Sequence, residues 1–557
     1  MRALIHRVLQ PPSPEALVEQ LRGEPGVVLL RSSLLDLSQA RYSFVAARPF
    51  LSFRSVGSRC ETRWAGGGDV RFGDPWRMLD ALVSRYELLD EIDLPFPLGG
   101  CFGYWGYDLK NFVEPRLPRR AVNDLEFPDC QVGFYDSLVA YDHHLGNAWV
   151  LSTGLEPDGS RTEQRAGQQA DFWVEQLARG SRREGACEPR PVAVPNQLDS
   201  LINTPIHGGA ATTESEGNRF KRFPAGILRP STPMNGGVNE TTGAHGTVRS
   251  QADVPGSPRA YGKASDLGSQ VKAFSNMARQ DFVAAAQRAR EYIQAGDIYQ
   301  VNLSHCLTAP LTVPAWEFHQ ALAAVSPAPF SSYLDAGDFQ IASSSPELFL
   351  RLTGSRILTR PIKGTRPRSL DPTRDSQLSY QLQTSPKEMA ELVMITDLLR
   401  NDLGKVCEFG SIQVPELARL ERYPQVQHLV STVEGALRKG VTHLGALASC
   451  FPGGSITGAP KIRAMEIIDE LESVSRGPYT GALGYLGFNR ESQLSIIIRT
   501  ALCKDNLVHF QVGAGIVADS NPVAEYFETL AKARGFIEAL RFCAPQHDRI
   551  SQRQIRS

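Results

Sequence analysis

Apolar residues recur at helical intervals just after Gln280, at Phe282, Ala285, Ala289 and Tyr292 or Ile293, and Gly296 follows as a stop. The spacing predicts a helix there. The same reasoning predicts helices at 386–399, 459–471 and 522–540, and at 75–86, where Asp74 is a natural N-cap and Pro75 a natural first residue. Short runs rich in β-branched and aromatic residues, bounded by turn residues such as those at 145–147, predict strands at 27–30, 134–141, 299–304, 340–344, 496–502 and 509–512. Between about Pro189 and Gly268 the pattern dissolves into Gly, Ser, Thr, Pro and Asn, with too few apolar residues to bury a core. The expected organisation is a folded region 1–185, a disordered linker or insert 186–272, a long α+β unit 273–545 and a tail 546–557. For 557 residues, at roughly 150 per domain, two large folded units are expected.

Composition narrows the function. Lys plus Arg number 59 against 60 Asp plus Glu, so there is no basic excess to hold a nucleic-acid backbone. The nine cysteines are scattered without a C-x-x-C pair, which points to reduced thiols and the cytoplasm. No apolar run reaches the ~18 residues that cross a bilayer, and the first residues do not read as a signal segment, so no membrane association is expected.

Two acidic pairs stand out. Glu388 and Glu391 share one face of a helix that opens Ser385-Pro386, and Glu525 and Glu528 share one face of a helix that opens Asn521-Pro522. For Glu388 there is a plainer role, since Ser-x-x-Glu is a capping box. If the pairs faced each other, four carboxylates without His or Cys at ligand spacing would favour a hard oxygen-seeking ion such as Mg2+ over zinc. Gly513 and Gly515 lie close in sequence to the second pair and offer unobstructed backbone N–H groups; the alternative is a strand and a tight turn. The cluster 453–461 (GGSITGAPK) leads into a helix but lacks the order of a phosphate-binding P-loop. Lys363, between Ile362 and Gly364, is by default an exposed charge; as a nucleophile it needs burial or neighbouring cations, such as Arg360, Arg366 and Arg368, to lower its pKa.

These motifs stand in one register through the C-terminal half: 296–304 (GDIYQVNLS), 343–347 (SSSPE), 361–365 (PIKGT), 391–404 ending in LRNDLG, 423–431 around His428, GGSITGAPK, 479–488 (YTGALGYLGF), Arg499 and 513–520 (GAGIVADS). Together they resemble the chorismate-utilising enzymes. The N-terminal half resembles the anthranilate synthase component I-like region of that family more loosely, through 29–33, 41–44 and 95–104. The resemblance implies an α+β fold of antiparallel sheets packed together with helices outside. It implies Mg2+ held by Glu391 and Glu528, with Glu388 and Glu525 completing the shell through water. It further implies that Arg499, Tyr479, Gly364 and Thr365 hold the enolpyruvyl carboxylate of chorismate, that Gly513 and Gly515 meet the ring carboxylate, that His428 and Thr457 line the ring, and that Glu347 is the acid for the departing C4 hydroxyl.

Within the family two positions divide the reactions. Relatives that add water carry a lysine where this chain has Gln300, and anthranilate synthases carry a small residue, usually alanine, where it has Lys363. A lysine at that place resembles the aminodeoxychorismate synthase branch, in which it attacks the ring before ammonia does. No glutaminase cysteine in a glycine-rich elbow is evident, so the resemblance implies a separate glutamine amidotransferase subunit, and a separate lyase would be needed to form 4-aminobenzoate for folate. Ser32, Tyr42, Ser43, Phe44, Pro329, Phe330 and Ser331 match the region where relatives bind tryptophan, although Arg31 replaces the acid usual in feedback-inhibited anthranilate synthases.

Overall fold

The computed structural model of the chain describes residues 2–31, 41–89, 94–184, 272–423 and 425–544. The insert at 186–272, apart from Lys272, the tail at 546–557 and Ser32 lie outside the described residues.

Two antiparallel sheets, each of twelve strands among the described residues, carry the architecture. Both draw strands from both halves of the sequence. In one sheet Val28–Arg31 pairs with Phe330–Asp335; in the other Gly100–Trp105 pairs with Ala482–Gly487. The expectation of two separate large units is thereby corrected, because neither half of the chain supplies a complete sheet and the described residues of both halves form one compact unit. Between the sheets lie Phe44, Leu138 and Ile341 from one and Phe102, Tyr104 and Tyr485 from the other. Each such side chain contributes roughly 1.5–3 kcal/mol by leaving water. Helices cover the outer faces: Arg279–Gln294, Ala315–Val325, Lys461–Leu471 and Pro522–Cys543 pack on the first sheet, and Pro75–Arg85 and His443–Cys450 on the second. The α+β class and its helices outside are as expected. No helix among the described residues is long and apolar enough to cross a membrane.

Several elements differ from the sequence reading in instructive ways. The run at 134–141 is two strands, Cys130–Tyr135 and Ser137–Asp142, that belong to different sheets and part at buried Asp136. The run at 496–502 is likewise broken: Glu491–Ile496 lies in one sheet and Thr500–Lys504 in the other, and between them Arg499 takes a left-handed φ of 48°. In the helix Arg279–Gln294 the buried stripe is Phe282, Ala286 and Ala289, with Ala285 beside it and only partly covered.

Candidate active site

The strand Ile362–Pro367 carries Lys363, Gly364 and Thr365 and pairs with Val426–Ala436. Its register shifts between Lys363, opposite Leu429, and Thr365, opposite His428, so Gly364 is the extra residue of a bulge. Gly364 has φ +68°, and a Cβ there would meet Glu388 Oε2 at 2.9 Å and Leu382 Cδ1 at 2.8 Å. Glycine is required on both counts, and its lack of a side chain lets the acidic helix approach the strand. Thr365 Oγ1 lies 2.9 Å from His428 Nδ1, and the Gly364 carbonyl 3.4 Å from the same nitrogen. Since the carbonyl can only accept, Nδ1 is assigned the hydrogen and Nε2 is left as an acceptor. Burial, aided by the Arg499 cation, pushes the His428 pKa down to about 4, so the ring is neutral near pH 7.

Lys363 is half-buried, with its amine near Ser455 and Glu347. Burial lowers its pKa; Glu347, Glu391 and Glu528 oppose that shift, and the Lys532 cation adds to it. Its one hydrogen bond is a long one, 3.4 Å to the Ser455 carbonyl, and among the described residues no carboxylate lies within ion-pair reach of Nζ. Glu347 follows the strand Gln340–Ser345 and is 6% exposed. Burial raises its carboxyl to about 7, against the pull of a Ser455 hydrogen bond and of Lys363. Ser455 therefore touches both groups. Sequence reasoning did not single it out; the available signal was its place inside GGSITG, beside Thr457.

The helices Pro386–Gly404 and Pro522–Cys543 bring the two acidic pairs within electrostatic range of each other. Burial raises the Glu391 pKa, with Glu388 and Glu528 adding to the shift and Lys363 and Lys387 reducing it. Burial likewise raises that of Glu525, which Ser520 and the cations Lys387 and Lys532 partly offset. The Ser385 hydroxyl caps the first helix, yet the Glu388 carboxylate does not complete a capping box: Ser385 N donates to Leu382 O, and Glu388 meets Arg366 at 3.2 Å. Glu528 pairs with Lys532 at 2.9 Å, and Lys532 also donates to the Gly513 carbonyl at 2.8 Å. Among the described residues no three acidic, His or Cys side chains converge tightly enough to form a preformed metal cage. The donor chemistry nonetheless fits a hard divalent cation that keeps waters, because desolvated, mutually repelling carboxylates with no His or Cys are what such an ion neutralises.

Gly513 and Gly515 lie on one face of the strand Leu507–Ile516, opposite Ser304 and Asn302. A Cβ on Gly513 would meet the Leu303 carbonyl at 2.9 Å and the Tyr479 hydroxyl at 3.0 Å; one on Gly515 would meet Gln300 Nε2 at 2.5 Å. Gln300 is 3% exposed and its Oε1 has no partner among the described residues. Arg499 stands in its left-handed turn with no carboxylate among the described residues in ion-pair reach, while burial lowers its pKa. A partly enclosed guanidinium without a counter-charge suits an anionic ligand. Thr457 is fully buried, and its hydroxyl donates to the Gly453 carbonyl at 3.1 Å, so it closes its own loop.

Five of the seven residues matched to a tryptophan-binding region line one cavity. Tyr42, Phe44, Pro329, Phe330 and Ser331 line it together with Arg31. Ser43 does not: it is fully buried and its hydroxyl meets His143 Nε2 at 2.6 Å. Arg31 pairs with Glu15, and its buried Nε has no partner among the described residues.

The family model for "chorismate binding enzyme" matches residues 239–538. Anthranilate synthase component 1 of Thermus thermophilus is 36% identical over 507 residues, which cover 90% of this chain and 89% of that protein. Aminodeoxychorismate synthase component 1 of Bacillus subtilis is 30% identical over 502 residues, covering 90% and 89%. Among solved structures, anthranilate synthase component I from Streptococcus pneumoniae superposes with a TM-score of 0.66 at 26% identity, covering 90% of this chain and 93% of that one.

Proposed function

The chain belongs to the chorismate binding enzyme family, and we propose that within it the protein is the aminodeoxychorismate synthase large subunit, a cytoplasmic transferase that makes 4-amino-4-deoxychorismate from chorismate and ammonia. The observation that carries this reading is the Lys363 amine: half-buried, lowered in pKa, and held by one long hydrogen bond. Such an amine is available as a nucleophile.

In the proposed reaction the neutral Lys363 amine bonds to C2 of the ring, the two ring double bonds shift in turn and the C4–O bond breaks; Glu347 supplies the proton with which that oxygen leaves as water. Ammonia then bonds to C4, both double bonds shift back, and the C2–N bond breaks, returning its electron pair to Lys363, while the new ammonium gives a proton back to Glu347. Covalent catalysis divides one hard displacement into two easier ones. Arg499, with Tyr479, Gly364 and Thr365, would hold the enolpyruvyl carboxylate, while the Gly513 and Gly515 amides face the ring carboxylate and His428 and Thr457 line the ring. Glu391 and Glu528, with Glu388 and Glu525 behind water, would hold Mg2+, which supplies a charge partner for that ring carboxylate. Gln300 provides no base for water attack, which disfavours isochorismate formation. A glutamine amidotransferase subunit would supply ammonia; the relatives named component 1 support that arrangement.

Anthranilate synthase is the competing reading, favoured by the higher identity to the Thermus protein. Identity over 500 residues reflects mostly the shared core, whereas regiochemistry turns on one side chain. Incubation of the purified protein with chorismate, Mg2+, an ammonium salt and a separate lyase tests the choice: 4-aminobenzoate is expected by fluorescence, and anthranilate as the main product would overturn the assignment. The cavity lined by Arg31, Tyr42 and Phe44 is kept only as a candidate tryptophan site, because Arg31 replaces the acid usual in feedback-inhibited relatives; equilibrium dialysis showing no retention of tryptophan would dispose of it.

A further inference from the structure

Arg476 and Glu472 form a buried ion pair that the mechanism above does not use. They are 3% and 5% exposed and sit one helical turn apart in sequence, just beyond the helix Lys461–Leu471. All five N–H donors of Arg476 have acceptors. Nε and Nη2 form a bidentate pair with Glu472 at 2.9 and 2.7 Å; Nη2 also reaches the Asn302 carbonyl at 2.7 Å, and Nη1 reaches the Ile456 carbonyl at 3.1 Å and Thr480 Oγ1 at 3.3 Å. Glu472 Oε1 in turn accepts from the Ser304 amide at 2.8 Å and the Ser304 hydroxyl at 3.0 Å.

Each partner is one step from a proposed substrate contact. Ile456 precedes Thr457, whose carbonyl accepts from Asn302 N at 2.9 Å. Asn302 and Ser304 are the cross-strand partners of Gly515 and Gly513. Thr480 follows Tyr479, whose ring lies 5.7 Å from the Arg476 guanidinium. Three segments distant in sequence, 302–304, 456–457 and 479–480, are thus tied to one planar fork, and they carry or back four groups of the cradle. A surface pair would not do this, since it fixes little; a saturated buried fork permits one arrangement only. A lysine could not replace it, having a point charge and no planar array of donors.

We propose that Arg476 and Glu472 are positioning residues, setting Thr457, Tyr479, Gly513 and Gly515 in the relative positions that receive the carboxylates of the substrate. This rests on the reading of those four groups as chorismate contacts. The pair touches neither Lys363 nor Glu347, although Ile456 also follows Ser455, which meets both, so the larger effect is expected on binding and a smaller one on kcat.

The test compares full-length wild type with Arg476→Lys, Glu472→Gln and, as milder probes, Thr480→Val and Ser304→Ala, each checked by circular dichroism at a temperature where it is folded. A misplaced cradle in Arg476→Lys or Glu472→Gln is expected to raise the KM and the directly titrated Kd for chorismate about 10-fold or more, with kcat at saturation within about 3-fold. Lysine at 476 does not rescue. Thr480→Val, which removes one of the five acceptors, should give a smaller rise in the same direction, and it decides the question if the charge variants do not fold. Folded variants with wild-type KM and Kd, whatever their melting temperature, would overturn the positioning role. Failure of the wild type itself to bind chorismate would instead overturn the functional reading on which it rests.

Discussion

Lys363 and Lys461 are both held in desolvating surroundings, and burial lowers the pKa of each. Their partners differ in kind. Lys461 Nζ has the Asp402 carboxylate at 2.5 Å and the Pro452 and Cys450 carbonyls at 2.8 and 3.1 Å, so all three ammonium hydrogens are used. Lys363 Nζ has one carbonyl at 3.4 Å, with its acidic neighbours beyond ion-pair distance and Lys532 opposing its charge. The first lysine is a structural tie between the helix Pro386–Gly404 and the loop that leads to Ser455; the second is half-buried without being satisfied. Burial alone therefore does not make an amine reactive. What distinguishes a nucleophile is the absence of the hydrogen bonds that would hold its proton.

That contrast can be broken in several ways, of which replacement of the nucleophile has the largest effect. Lys363→Ala should reduce 4-aminobenzoate formation, followed by fluorescence in the lyase-coupled assay, to background; unchanged turnover would remove the lysine from the mechanism. Glu347→Gln, which leaves the amine but removes the acid, should lower kcat about 10²- to 10⁴-fold, read in the same assay. In stability the order inverts. Lys461→Met removes one of the two cations on the buried Asp402 carboxylate, leaving Lys405 at 3.0 Å, and should cost about 1.5–3 kcal/mol in denaturant unfolding, whereas Lys363→Met discards an unsatisfied amine and should cost nothing or stabilise. Equal losses at both positions would erase the distinction.

The smallest effect lies in pH dependence. In the proposed reaction Glu347 acts in its protonated form; with burial raising its carboxyl to about 7, kcat/KM should fall as pH rises through about 7. The lowered pKa of Lys363 should place the acidic limb, where the amine becomes charged, below the usual lysine range. Because the folded-state pKa of Glu347 lies above the ordinary 4.5, the folded protein holds that proton more tightly than the unfolded chain does. Stability should then decline between those two values and change no further from this group above them. Glu347→Gln should abolish both the alkaline limb and that slope, as followed by kcat/KM profiles and by unfolding at stepped pH.

Much of the site was legible as motif. The helix starts at Pro386 and Pro522 follow from local rules, because a Ser or Asn cap and a proline at the first position act within a few residues. That Glu391 and Glu528 would face each other was a conditional, and nothing in either helix dictates it; it depends on a bulge at Gly364 and on how each helix packs on its strands. The strand Ile362–Pro367 was missed, since Pro, Gly and Arg give it a loop-like composition while its pairing partner lies some sixty residues on. The break at Arg499 was missed for a related reason: 496–502 alternates well enough as a strand, and the chain's crossing from one sheet to the other is a tertiary event. The Arg476 fork was invisible because its acceptors are mostly backbone carbonyls, which carry no sequence signal.

The covalent role of Lys363 is tested most directly by withholding ammonia. Full-length protein incubated with chorismate and Mg2+ alone, quenched and digested, should yield a peptide containing Lys363 that carries the substrate less one water, and the adduct should disappear when ammonium is added. A protein that forms 4-aminodeoxychorismate with ammonium present, yet never accumulates an adduct on Lys363 under any quench without it and still turns over as Lys363→Ala, would contradict the account.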